Sequence, residues 1–166
     1  MATNTKVPFQ RFLDQHREPV LAFLRALVGP VDADDCFQET FIAAMRGYER
    51  MDGRHPRAWV MTIARSKAID HHRSRARRPE PRDEIADVAA PDPGVGGLGD
   101  LDGTVWSAVT ELTDSQREAV ALRYAADLPY REIAASLECS EDAARRRVAD
   151  GLAALRKTLD REEVLQ

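Results

Sequence analysis

The sequence predicts an all-α protein: two small helical domains joined by a flexible acidic linker. Three observations carry that expectation. Apolar residues recur at three-to-four spacing on both sides of the chain's middle, the period of a helix with one buried face. Residues 79–104 hold four of the nine prolines and five of the nine glycines, with no sustained apolar period, which is linker composition. At 166 residues the chain has room for one ordinary domain or two small ones. The expected divisions are a first domain over 1–78, the linker over 79–104 and a second domain over 105–160.

In the first domain Phe9, Phe12, Leu13, His16, Val20, Phe23, Leu24 and Leu27 form the apolar stripe of one helix ending near Gly29-Pro30. A second helix is expected from Asp32 to Asp35, where acids suit the positive end of a helix, through Phe37, Phe41, Met45 and Tyr48. MDGRHP breaks the pattern. A third, long helix runs from about Pro56, anchored by Trp59, Ile63 and Ile69, and grows more basic toward Pro79.

The second domain opens with a short helix around Val105, Val109 and Leu112. Thr113-Asp114-Ser115-Gln116 is a capping box, whose hydroxyl and amide can satisfy free N–H groups at a helix start. That helix runs to about Ala126. Pro129 fits a first helical position, because its missing N–H costs nothing there. A helix from Tyr130 to Leu137, a turn at Glu138-Cys139 and a last helix capped by Ser140 make a helix-turn-helix.

The formal net charge of −4 conceals an uneven distribution. Residues 1–78 carry +5, residues 79–104 carry −6 and residues 105–166 carry −3. Such an asymmetry bears on partners, and only by segment. The run ARSKAIDHHRSRARR holds Arg65, Lys67, Arg73, Arg75, Arg77 and Arg78 against Asp70 alone, a local field suited to a phosphate backbone. Arg145, Arg146 and Arg147 lie near the start of the last helix, where a recognition helix meets base edges and Arg matches guanine. Successive helical positions differ by about 100°, so the three cannot all face DNA; the remainder is expected to pair with Glu141 or Asp142.

Several classes are excluded. Cys36 and Cys139 make no disulfide framework, and the four histidines form no spaced ligand set, so no metal or cofactor is expected. No apolar run nears the roughly 18 residues of a membrane span, and the N-terminus MATNTKVPFQRF lacks signal-peptide features, so a cytoplasmic protein with no membrane insertion is expected. The acids Asp34, Asp35 and Glu39 have no nucleophile or histidine beside them, and a polar acidic face suits a basic protein partner better than catalysis.

DADDCFQETFIAAMR, PRAWVMTIARSKAIDHHRSRARR and ELTDSQREAVALRYAADLPYREIAASLECSEDAARRRVADGLAALRK resemble, in order and spacing, the bacterial extracytoplasmic-function (ECF) sigma factors of the sigma-70 family. The resemblance covers nearly all of the chain except the linker and tails. It implies a dissociable transcription factor and no enzyme: a subunit that binds core RNA polymerase at its clamp helices and flap, directs it to promoter DNA and opens the duplex. Asp35, Gln38, Glu39 and Phe41 then match the polymerase-docking helix. The helix from Pro56 matches the segment that captures the minus-ten element as a single strand, through Arg54, His55, Trp59, Arg65, Ser66, Lys67, Arg73, Arg75 and Arg77. Stacking and phosphate contacts would hold that strand.

Ser140, Arg145, Arg146 and Arg147 match the minus-thirty-five reader. Here Glu138 and Cys139 replace the family's usual Gly and aliphatic residue, Ala149 and Asp150 stand where further DNA contacts are frequent, and Ser66 replaces a common Asn. The acidic linker would mimic RNA in the RNA path, and an anti-sigma factor is an expected partner. Two other readings remain at this point: a helix-turn-helix regulator acting without polymerase, and a metal enzyme using Asp70, His71 and His72.

Overall fold

The structure, a computed structural model, describes residues 6–77 and 103–164. The linker's reading as a flexible RNA mimic therefore lies outside the described residues. Seven α-helices account for the described fold: α1 (Phe9–Val28), α2 (Pro30–Gly47), α3 (Pro56–Arg77), α4 (Gly103–Thr110), α5 (Asp114–Tyr124), α6 (Tyr130–Ser136) and α7 (Glu141–Val164).

Helices α1, α2 and α3 pack mutually as a three-helix unit. The stripe read from the sequence is what α1 buries, with Phe12, Val20, Phe23 and Leu24 almost wholly enclosed. Gly29 at φ +87° turns the chain between α1 and α2, a conformation in which any side chain would be strained. Pro30 follows at the head of α2, which thus begins earlier than its acids suggest, because proline's fixed φ already suits a first turn. The small residues Ala64 and Ala68 let α3 lie close on this unit, and Trp59 crosses Gly47, where a Cβ would stand 3.2 Å from its ring.

In the second unit the capping box forms: the Gln116 N–H donates to Thr113 Oγ1 (3.4 Å) and the Thr113 N–H to Gln116 Oε1 (3.3 Å). Arg117 gathers the carbonyls of Val109, Thr110 and Leu112 at the end of α4. Gly151 is needed for approach, since a Cβ there would meet Val120 Cγ2 at 2.6 Å where α7 crosses α5. In the helix-turn-helix, Glu138 takes φ +51° and the Cys139 N–H reaches Ala134 O (3.0 Å), a Schellman ending in which the family's usual glycine would be relaxed.

Four more boundaries differ from the sequence reading. Helix α4 begins inside the expected linker at Gly103, α5 stops at Tyr124, and α7 runs past 160 to Val164. Pro129 is the cap before α6, extended at ψ 153°, and Tyr130 is the first helical residue. The larger difference is tertiary. The two units do not stand apart on a tether: α1 packs against α4 and α5, α3 packs against α6, and one apolar cluster runs through both. Among the described residues no helix is long and apolar enough to cross a membrane.

His16 is a buried titratable group in this core, 6 % exposed, edge-on to Phe12 at 4.7 Å and with Nδ1 unpartnered. Burial, and then the charge of Arg57, lower its pKa from 6.5. The fold therefore holds the neutral ring, so its contribution to stability is present above the unfolded value of 6.5 and is lost as pH falls below it toward the folded pKa. Urea unfolding at pH 7.5 and 5.5 should show a smaller acid loss in His16→Leu than in the parent; equal losses would remove His16 from the pH response.

Candidate polymerase and nucleic-acid interfaces

Helix α2 presents a solvent face opposite its core side. Asp35, Gln38 and Glu39 are exposed on it. Phe41 is not: it is 5 % exposed, its ring 4.8 Å from Phe37 and 6.5 Å from Phe12. Its expected place on a docking surface is corrected, since a ring enclosed by α1 can only support that surface from beneath. The exposed apolar residues are instead Val31, Ile42 (47 %) and Met45 (57 %). With Asp35 and Gln38 they recur at the spacing of one helical face, a stripe mixing apolar and polar contacts. The 3.6-residue period contained this signal, because Ile42 falls on the Gln38 side and Phe41 on the core side.

Cys36 lies just under this face. Burial, followed by Glu39, Asp32 and Asp35, raises its thiol pKa to about 11, so the reactive thiolate is suppressed at neutral pH. Cys139 is half-buried against the core in the helix-turn-helix turn.

Helix α3 and the turn before it form the second surface. Arg54, Ser66, Arg73, Arg75 and Arg77 are exposed, and Lys67 is half-buried. The Arg54 N–H donates to Asp52 Oδ1 (2.9 Å), which closes the turn. Trp59 is half-buried, its ring 5.9 Å from Phe12, so one side is committed to the core. Arg75 is pinned to Asp32 of α2 (2.9 Å). His71 Nε2 also approaches Asp32 (3.2 Å), but out of line for a hydrogen bond, and His72 Nε2 lies 3.0 Å from Leu27 O. These side chains diverge from Asp70. Among the described residues no three His, Cys, Asp or Glu groups are placed to hold a metal ion.

Two residues expected to meet DNA face the second unit instead. Arg65 Nε is 3.1 Å from Glu118 of α5, and His55 Nδ1 is 2.7 Å from Glu132 of α6.

The helix-turn-helix is the third surface. Ser140 caps α7 by accepting the Ala143 N–H (3.1 Å). Arg145 pairs with Glu141, as the sequence suggested for one of the three arginines, while Arg146 is exposed and Arg147 half-buried. Sequence reasoning missed Tyr130, whose ring holds Arg145 at 4.8 Å and Arg123 at 5.4 Å. Ala149 and Asp150 are exposed further along α7.

Comparison with known proteins shows what the two units resemble. Residues 12–78 match the family model described as Sigma-70 region 2, and residues 103–155 match Sigma-70, region 4. The chain is 31 % identical over 160 residues to the ECF RNA polymerase sigma factor SigK of Mycolicibacterium vanbaalenii, covering 91 % of this chain and 81 % of that one. It is 32 % identical to the ECF RNA polymerase sigma factor SigC of Mycobacterium tuberculosis, covering 84 % and 77 %. Among solved structures, the sigma factor RpoE in complex with the anti-sigma factor NepR from Bartonella quintana superimposes with a TM-score of 0.79 at 27 % identity, covering 92 % of this chain and 96 % of that one. CnrH, solved with the cytosolic domain of CnrY, shares the fold at a TM-score of 0.65 and 23 % identity, covering 92 % and 87 %.

Proposed function

The chain belongs to the ECF group of sigma factors in the sigma-70 family, and on that premise we propose which of its surfaces meets each partner. It is an alternative sigma factor that binds core RNA polymerase and directs transcription initiation at its own promoters. The observation that carries the assignment of surfaces is the exposed α2 stripe of Asp35, Gln38, Ile42 and Met45 on the same three-helix unit as the basic end of α3. Sequence-specific duplex binding alone would need only the helix-turn-helix, and would leave that stripe without a use. A regulator acting without polymerase is therefore not favoured.

The division of labour follows from the chemistry of each face. The α2 stripe docks on polymerase. Its apolar residues supply buried area, and its acids steer toward a basic surface. Arg73, Arg75 and Arg77 follow the backbone of the separated minus-ten strand, with Arg54, Trp59, Ser66 and Lys67 nearer the bases, while His55 and Arg65 are engaged by Glu132 and Glu118 of the second unit. Arg146 approaches the minus-thirty-five bases from the start of α7, while Arg145 is engaged by Glu141 and Tyr130 and Arg147 lies closer to the fold. The domain limits that fit this division are 1–78 and 105–160, with the acidic segment between them. The chain is itself no catalyst; the polymerase performs the chemistry. Because RpoE was solved with the anti-sigma factor NepR, a comparable protein inhibitor is the expected regulator.

Two measurements test this reading. The purified chain should bind core RNA polymerase and start transcription from a specific promoter, and Ile42→Asp with Met45→Asp should weaken core binding by about tenfold or more without shifting Tm. Failure of the parent to bind core polymerase would refute the function. Replacing Arg73, Arg75 and Arg77 with Gln should weaken promoter opening and flatten its salt dependence by about 0.7 log units per log salt for each lost single-strand phosphate contact. Equal slopes in parent and variant would remove these arginines from the strand.

A further inference from the structure

Helix α7 carries two opposite charges side by side on its open face. Ala144, Val148 and Thr158 are buried and set its inner side, so the helical period turns Asp142, Arg146, Ala149 and Asp150 outward, and all four are exposed. The neighbouring arginines are engaged elsewhere: Arg145 is held by Glu141 and the Tyr130 ring, and Arg147 is half-buried. Asp142 has a structural use, since it stands in the first turn, where the helix dipole favours an acid. Asp150 has none of this kind. It lies beyond that turn, and among the described residues its side chain makes no ion pair or hydrogen bond.

Arg146 does not neutralise it. An acid four residues before a base on a helix pairs better than the reverse order. Glu141 precedes Arg145 and the pair closes, whereas Arg146 precedes Asp150 and no ion pair forms between them. Both side chains therefore remain available to a duplex lying along this face.

An ionised carboxylate accepts hydrogen bonds and donates none. Phosphates repel it, and on the major-groove edge only cytosine N4 and adenine N6 present donors. Adenine sets its N7 acceptor beside N6, whereas cytosine offers its amino group with no acceptor of its own on that edge. We propose that Asp150 is a specificity-determining residue of the minus-thirty-five reader, accepting a hydrogen bond from cytosine N4 while Arg146 reads a guanine about one to two base pairs away. The proposal rests on reading α7 as the recognition helix. The separation follows from geometry, because four residues span about 6 Å along a helix and successive base pairs rise about 3.4 Å. Ala149, on the same face, has no side chain beyond Cβ, so the short carboxylate can approach the base edges. Asp150 also works by exclusion: guanine or thymine in the cytosine's place would set acceptors against the carboxylate, so the acid supplies discrimination more than affinity.

The full chain with core RNA polymerase transcribes a library of templates randomised over both promoter elements, and the transcribed templates are sequenced. The parent should enrich a cytosine beside a guanine in the upstream element. Asp150→Asn should move the preference at that base pair from cytosine to adenine, whose N6 and N7 suit an amide, and Asp150→Ala should lower the enrichment of cytosine there by about tenfold. Arg146→Gln should relax the neighbouring guanine and leave the cytosine in place. Asp160→Asn, which removes an exposed acid at the far end of α7, is the charge-matched control and should keep the parent's pattern.

An unchanged base pattern in both Asp150 variants would overturn the proposal. A uniform rise in transcription over all upstream sequences would do the same, because Asp150 would then only repel phosphate. Cytosine and guanine effects more than about three base pairs apart would break the pairing with Arg146. A parent that enriches a downstream element but no upstream one would refute α7 as the reader and the proposal with it, a failure visible before any variant is compared.

Discussion

The ring of Phe12 is the contact on which the first unit depends. It is 1 % exposed and lies within ring-packing distance of Phe9, His16, Phe41, Tyr48 and Trp59, so one side chain of α1 ties α2, the short turn after it and the start of α3 to a single point. Aromatic groups at these separations add to the energy of their burial, and they fix the orientation of the helices that carry them. The consequence is functional. With Phe41 drawn inward, α2 must turn Gln38, Ile42 and Met45 outward; with Trp59 drawn inward, the basic turns of α3 are held at a defined angle to that stripe.

The second unit solves a different problem with different means. Three of its four helices, α4, α5 and α6, are short, and a short helix gains little by itself, so the ends carry much of the specification. Thr113 and Gln116 set the start of α5, Arg117 closes the end of α4, Ser140 starts α7, and Glu111 reaches across to Thr158 and Arg161. What these caps position is a recognition helix whose first turn is held by Glu141 and by the Tyr130 ring. Arg145 is thereby engaged within the protein, and Arg146 is left exposed beside it.

The all-α class, the seven helices and the two-part organisation were legible in apolar period and cap chemistry, since both act over a few residues. The capping box at Thr113 and the cap at Ser140 fell where their side-chain chemistry demands. What could not be read was set by contacts distant in sequence. Phe41 looked like part of a polar docking motif, although neighbouring positions on a helix point about 100° apart and the helical period sets it on the side away from Ile42, where packing against Phe12 encloses it. The docking of the two units joins residues on either side of the linker, in the shared apolar cluster and in the contacts of Arg65 with Glu118 and His55 with Glu132. Tyr130 was missed for the same reason, because Arg123 and Arg145 reach it from different helices.

In the proposed division of surfaces, one three-helix unit turns α2 toward polymerase and the end of α3 toward DNA. A photo-crosslinking residue placed at Met45, and in a second protein at Arg73, tests it within the complex of full chain, core polymerase and promoter DNA. The account predicts that position 45 crosslinks to a polymerase subunit and position 73 to a DNA strand. Crosslinking of position 45 to DNA, or of position 73 to polymerase alone, would contradict it.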